Sequence, residues 1–504
     1  MNILRRNKFF MKNVIFAVTQ VADFKVQASV LPLLLSLFFF SCGSGSSNET
    51  TAATTTQTPA AIAAPAYDNS FAKGIVIDSV ACKNQSSQNF ALYLPSSYTS
   101  GKQFPCIYIF DAHARGALPL KMYKHLAEKY GFILIGSNIS KNGTQWEVTN
   151  EGVKILMEDT RSRINIDPRR IYTAGFSGGS RVASSVAIMD GGIAGVIGCA
   201  MGFPQMENAF QNKFDYFGIV GDYDFNLADM MQLNEALTQQ GFTHQVVTFN
   251  GKHDWAPAPD FNSALLWLQV NAMKENLQPK NDSLINALKA DYDTRIVAAA
   301  RSGDIVKQHL LLVGLINTVG GISDVSVYQK QDAAITADAH YKSALVVQSQ
   351  LQQVEINEQQ ELAKQFTTQD EKWWAGKIAV LNKNAHSAKT KEESQMNKRL
   401  VNFLGLLGYL SSNHALNVGD LPAAENYLKI FKMADPQNSD CSYLYAVYYL
   451  KKGDQPKTIA ALNEAVALGY SDVTQLTSDS SFSRLQNTPV FQNIINKVRA
   501  NRIK

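Results

Sequence analysis

The chain has 504 residues, 47 basic against 43 acidic side chains, a net charge of +4, and 45% hydrophobic residues. That length leaves room for roughly two to four domains and the composition is that of globular protein. The near balance of charge, with basic residues scattered rather than striped, gives no electrostatic footprint for nucleic acid. No Cys/His cluster has zinc-ligand spacing and no Gly-rich loop carries a phosphate-binding Lys, so no metal and no cofactor are expected.

The N-terminus reads as an address. Arg5, Arg6, Lys8 and Lys12 precede an apolar run from about Val26 to Phe40, followed by Ser41-Cys42-Gly43. The run is short for a transmembrane span. A basic start, an apolar run, a small residue and a cysteine together resemble a bacterial lipoprotein signal. The resemblance implies export, removal of residues 1–41, lipidation of Cys42 and anchoring to a membrane on its periplasmic or cell-surface side; an ordinary signal peptide is the alternative. Residues 42–66 are Ser, Thr, Ala, Gln and Pro, bury too little apolar surface to offset ordering, and read as a disordered tether. Of the other cysteines, Cys82, Cys106, Cys199 and Cys441 either pair, as an exported chain allows, or stay as buried thiols.

The pattern changes at residue 67, where a domain spanning 67–278 begins. Ile75-Val76-Ile77, Phe90–Pro95, Pro105–Phe110 and Phe132–Gly136 are strand-like, the last two as continuous apolar runs of the buried type. Helix-compatible segments follow at about Leu118–Tyr130 and Trp146–Ile164. A short run, Ile171–Ala174, meets the turn Gly175-Phe176-Ser177-Gly178-Gly179. Two further apolar runs, Ala194–Ala200 and Asp215–Gly221, lead to a helix at about Leu227–Gln240, a strand at His244–Phe249, the turn Gly251-Lys252-His253-Asp254-Trp255, and a helix near Phe261–Lys274. Strands alternating with helices predict an α/β fold with a mostly parallel sheet covered on both faces.

A serine hydroxyl attacks a carbonyl only when a base removes its proton, so it must project from a sharp turn between strand and helix; Gly-x-Ser-x-Gly supplies that turn. Ser177 is therefore the candidate nucleophile, with His253 as base and Asp224 or Asp222 as the acid that orients it. Both His253 and the Asp222–Asp224 segment follow predicted strands, in the chain order Ser, Asp, His. His113 is the rival base.

Ile166-Asp167-Pro168-Arg169-Arg170-Ile171-Tyr172 leading into Gly-x-Ser-x-Gly, then Gly221-x-x-Asp224, then Gly251-x-His253, resemble the α/β-hydrolase esterases related to polyhydroxybutyrate depolymerases, feruloyl esterases and dienelactone hydrolases. The resemblance covers residues 70–274, implies an α/β-hydrolase sheet with flanking helices, and favours Asp224 over Asp222. It also implies an oxyanion hole from the Gly178 amide and one in the 112–115 loop, assigned to Ala114. His113, Arg115, Trp146 and Trp255 are expected to line the substrate pocket.

Residues 279–400 are rich in Ala, Leu, Gln, Glu and Lys and read as helical. Gly419-Asp420 and Gly453-Asp454 lie 34 residues apart, each followed by an apolar helix. Period and small/aromatic alternation resemble tetratricopeptide repeats over 401–504, which implies an all-α C-terminal helical-repeat domain able to hold a protein or peptide partner. The reading that follows is an exported, lipid-anchored serine hydrolase acting on small-molecule or glycan-linked esters. The alternatives are a scaffold lipoprotein with a degenerate hydrolase domain and a peptidase of the same fold.

Overall fold

The computed structural model describes residues 67–204 and 212–501. The signal segment, Cys42 and the tether lie outside the described residues. The described residues form one compact unit.

Eight strands build one sheet: β1 (Val76–Ala81), β2 (Asn89–Tyr93), β3 (Phe104–Phe110), β4 (Ile133–Ser137), β5 (Ile166–Phe176), β6 (Gly195–Cys199), β7 (Asp215–Gly221) and β8 (His244–Phe249). Their order is β1-β2-β4-β3-β5-β6-β7-β8. β1 pairs antiparallel with β2 and β2 antiparallel with β4, while every pairing from β4 to β8 is parallel. β5 is longer than its apolar run suggests, because Ile166 still pairs with Phe104 before a register irregularity takes the Pro168 stretch out of the ladder.

Alternation divides the buried side chains between two cores. Ile107 and Ile109 of β3, Ile197 of β6 and Phe217 and Ile219 of β7 face one way; Cys106, Tyr108, Phe110, Val196, Tyr216 and Val220 face the other. Successive residues of a strand point to opposite faces, so an unbroken apolar run is what a sheet covered on both sides requires. The second face is covered by α2 (Trp146–Arg163), α3 (Gly178–Asp190) and α4 (Leu227–Gln239), through Val153, Leu156, Val186, Met230 and Leu237.

The first face is covered by α1 (Ala117–Tyr130) and α5 (Ala258–Lys274), and its core does not stop there. It continues into α6 (Asp282–Arg301), α7 (Ile305–Val319), α8 (Ser326–Ala337) and α9 (Ala339–Gln365) through Leu288, Tyr292, Leu312, Leu315, Tyr328 and Tyr341. The remaining helices are α10 (Glu371–Ser387), α11 (Lys391–Val418), α12 (Leu421–Ala434), α13 (Ser439–Lys451), α14 (Gln455–Ala467), α15 (Val473–Ser478) and α16 (Pro489–Asn501). A third core, including Leu416, Leu428, Phe431, Leu444, Leu462 and Ile495, joins α11 to α16. The α/β class and the all-α C-terminal region expected from the pattern are both present.

The Gly-Asp pairs have a local physical meaning. Gly419 ends α11 with φ 79°, a left-handed conformation that costs a glycine nothing, and the Asp420 carboxylate then accepts the Ala423 N–H to open α12. Gly453 (φ 76°) and Asp454, which accepts from Lys457 N, repeat this between α13 and α14. So do Gly303 (φ 71°) and Asp304 between α6 and α7, a third copy outside the 34-residue period.

The cysteine alternatives resolve to thiols: Cys82, Cys106, Cys199 and Cys441 are unpaired and buried. Burial pushes the Cys199 thiol up to about 12, which keeps it protonated and inert.

Asp215, at the start of β7 and 6% exposed, is the most perturbed carboxyl of the sheet. Burial, and then the charge of Glu275, push it up to about 8. The folded state therefore holds a proton that the unfolded chain releases near pH 4. Stability should fall as pH rises from about 4 to about 8, by at most ~1.4 kcal/mol per unit, and level off above that. Asp215→Asn should show a shallower decline, because Asp229, also pushed up by burial, still contributes, and should be the more stable protein at pH 8.5, as read by urea denaturation across the range.

Candidate active site

Three loops that leave the carboxyl ends of β5, β7 and β8 bring Ser177, Asp224 and His253 together. Ser177 sits between β5 and α3 with φ 54° and ψ −123°, a conformation that a residue with a side chain holds only under constraint. The constraint is visible. A side chain at Gly175 would collide with the Gly179 carbonyl, and one at Gly179 with the Phe110 carbonyl, so both glycines serve the close approach of helix to sheet. The Ser177 N–H is tied to Cys199 O at 2.9 Å.

His253 Nε2 lies 2.9 Å from Ser177 Oγ. Its Nδ1 lies 3.0 Å from each oxygen of Asp224, whose side chain is fully buried. A carboxylate only accepts, so Nδ1 carries the proton and Nε2 is left to accept from the serine hydroxyl. Asn226 N–H donates to Asp224 Oδ1 at 2.9 Å and fixes the carboxylate from behind. Phe225 stacks on the imidazole at 4.4 Å and Phe176 lies tilted against it at 4.9 Å. Asp222, the alternative acid, instead faces Lys307 Nζ at 3.9 Å.

The loop after β3 is organised by one buried carboxylate. Asp111 accepts from His113 N at 2.9 Å, Arg115 Nε at 2.8 Å, Arg115 Nη2 at 3.0 Å and Trp255 Nε1 at 2.9 Å. Burial is the largest single influence and works against its charge, but Arg115, His113 and Trp255 together outweigh it and hold the carboxyl below the usual carboxylate range.

This hub changes the reading of several residues. Ala114 adopts φ 58° and its N–H donates to Asp111 O at 3.2 Å, so that amide is closed into the turn rather than presented to Ser177. Trp255 is 3% exposed, packs on Phe176 and Tyr123, and spends its N–H on Asp111; it anchors the loop and offers no face to a substrate. Arg115 likewise spends one edge of its guanidinium on Asp111. His113 is 30% exposed with its Nδ1 buried and without a hydrogen-bond partner, and among the described residues no hydrogen bond joins it to Ser177. Trp146 is half-buried in the first turn of α2.

Gly178 is the first residue of α3, so its N–H has no acceptor within the helix and is oriented at the helix N-terminus beside Ser177. A side chain at 178 would strike Asn142 Oδ1. Asn142 was not evident in the sequence as a site residue. Its backbone N–H donates to Ala112 O at 2.9 Å and Lys141 bridges His113, which places the 138–144 loop against the 111–116 loop. No local sequence signal marks that pairing.

No known family model matches this sequence, and no curated protein does. Solved structures do resemble it. S-formylglutathione hydrolase FrmB of Staphylococcus aureus matches at 13% identity over 38% of this chain and 97% of that one, with a TM-score of 0.33. FphF, a fluorophosphonate-binding serine hydrolase of Staphylococcus aureus, matches at 14% identity over 38% of this chain and 97% of that one, with a TM-score of 0.32. A ferulic acid esterase matches at 18% identity over 38% of this chain and 94% of that one, with a TM-score of 0.31.

Trp255→Phe keeps an aromatic six-membered ring and removes the N–H with the five-membered ring that carries it. It should lower unfolding stability by about 1–3 kcal/mol through the lost bond to a charged group, measured by denaturant titration.

Proposed function

We propose that this chain is a serine hydrolase of α/β-hydrolase type that cleaves carboxylic esters. The observation that carries the reading is the relay Ser177 Oγ, His253 Nε2, His253 Nδ1 and Asp224, joined at 2.9 and 3.0 Å with the serine held at positive φ. In the proposed mechanism His253 takes the Ser177 proton as Oγ attacks the ester carbonyl, and Asp224 stabilises the imidazolium that forms. The Gly178 amide donates to the oxyanion of the tetrahedral intermediate. His253 then delivers the proton to the leaving alcohol, an acyl-serine remains, and water repeats the sequence to free the acid. The Ala114 amide joins the hole only if substrate draws it away from Asp111 O.

The reading extends to the N-terminus and the last helices: export with a lipid on Cys42 at a bacterial membrane, and a repeat surface over 401–504 open to a protein or peptide. The Gly-Asp hinges at 419–420 and 453–454 support regular helix pairs there.

Ser177→Ala should lower turnover of a p-nitrophenyl ester by at least about a thousand-fold and abolish fluorophosphonate labelling, with circular dichroism unchanged. Labelling that survives the substitution would refute the assignment. Cleavage of peptide substrates at rates above those for esters would move the reading to a peptidase. Metabolic labelling with radioactive palmitate should be lost in Cys42→Ala, and a wild-type chain that takes up none would remove the lipid anchor.

A further inference from the structure

The segment that carries Asp224 runs from the end of β7 to the start of α4, and its hydrogen bonds fall into two sets. Its amides bond within the sheet-bearing half: Asp222 N to Phe249 O at 2.8 Å, Tyr223 N to Gly251 O at 2.9 Å and Asp224 N to Gly221 O at 3.0 Å. The carbonyls of Asp224 and Asn226 accept locally from Leu227 N and Met230 N, but those of Asp222, Tyr223 and Phe225, and of Ala228 in α4, bond to side chains more than a hundred residues further along the chain. Arg399 Nη1 of α11 donates to Asp222 O at 2.9 Å, and Asn402 Nδ2 of α11 to Tyr223 O at 2.7 Å. Gln359 Nε2 of α9 donates to Phe225 O at 3.0 Å and Gln352 Nε2 to Ala228 O at 3.2 Å.

The two helices are locked to each other at that point. Arg399 forks onto Glu355 of α9 at 2.8 and 2.7 Å, with both residues buried. A buried, bidentate pair holds its geometry more tightly than a single bond. Packing follows the same line: Phe403 of α11 lies 6.4 Å from Phe225, whose other contact is the His253 ring at 4.4 Å. One aromatic ring therefore stands between the C-terminal helices and the imidazole.

We propose that α9 and α11 belong to the catalytic machinery, with Asn402, Gln359 and Arg399 as positioning residues that fix the acid loop by its carbonyl oxygens. This rests on the serine hydrolase reading above. Local bonds close the turn around Asp224, and the bonds to Asp222 O, Tyr223 O and Phe225 O fix that turn against the rest of the molecule. A displacement on the order of 1 Å in such a group costs about a hundred-fold in rate, whereas one such bond shifts the folding equilibrium only about five-fold. The effect on turnover should thus exceed the effect on folding.

Arg399 is a poor probe, because removing it strands a buried Glu355 and destabilises the fold itself. The test uses Asn402→Ala and the double variant Asn402→Ala/Gln359→Ala in the full chain, with Leu462→Ala of the third core as a control that loosens the helices away from the loop. Three quantities are read: unfolding midpoint, kcat and KM for p-nitrophenyl acetate, and the downfield proton resonance of an imidazole N–H held by a carboxylate. In the double variant kcat should fall about ten-fold or more with KM within two-fold, and the resonance should broaden or vanish. Leu462→Ala should lower the midpoint and change neither. A double variant with kcat within two-fold of wild type and the resonance intact would overturn the proposal, as would a wild-type chain without that resonance. A wild-type chain that hydrolyses nothing, yet loses the resonance in the double variant, keeps the positioning role and refutes the esterase reading.

Discussion

A parallel sheet cannot leave a face in water, and in this chain that constraint decides how the two halves are joined. The strands β3 to β8 are apolar on both sides. On one side α2, α3 and α4 suffice. On the other, α1 and α5 are extended by α6 to α9, whose Leu288, Tyr292, Leu312 and Leu315 share the core of Ile197 and Phe217. Covering the sheet therefore carries the chain to the region above the carboxyl ends of the strands, where α9 and α11 meet the loop between β7 and α4.

Polar organisation follows from that placement. Two carboxylates are taken out of water near the strand ends, and each is satisfied differently. Asp111 gathers the His113 N–H and the Arg115 guanidinium from its own loop and the indole N–H of Trp255, which ties the loop after β3 to the turn that carries His253. Asp224 is served by Asn226 and His253, so its position depends on the loop that carries it. The helices reach the second through hydrogen bonds to its loop, and the first through the charges of Asp440 and Asp472 on Arg115.

Much of this was legible in the sequence for a simple reason: strands buried on both faces leave unbroken apolar runs, and a turn that cannot carry side chains leaves glycines. Gly175 and Gly179 therefore pointed to Ser177, and the breaks after Gly221 and Phe249 pointed to Asp224 and His253. What was not legible depends on side chains that meet only after folding. Ala114 resembles an oxyanion donor by position, but the carbonyl of Asp111 captures its amide. Trp255 looks like a pocket ring until its N–H is seen on Asp111. Asn142, Asn402 and Gln359 are ordinary polar residues in polar stretches, and nothing local distinguishes them from surface amides. The Gly-Asp repeat was visible as a period, while its third copy at Gly303-Asp304 was hidden because the signal is a helix hinge and needs no fixed spacing.

The continuity of the first core from the sheet into α6, α7, α8 and α9 has a consequence for cooperativity. Leu265 and Leu268 of α5 and Leu312 and Leu315 of α7 belong to a single apolar cluster with the central strands. A chain cut after residue 278 would expose that cluster to water. The sheet and helices α6 to α9 should accordingly melt as one transition.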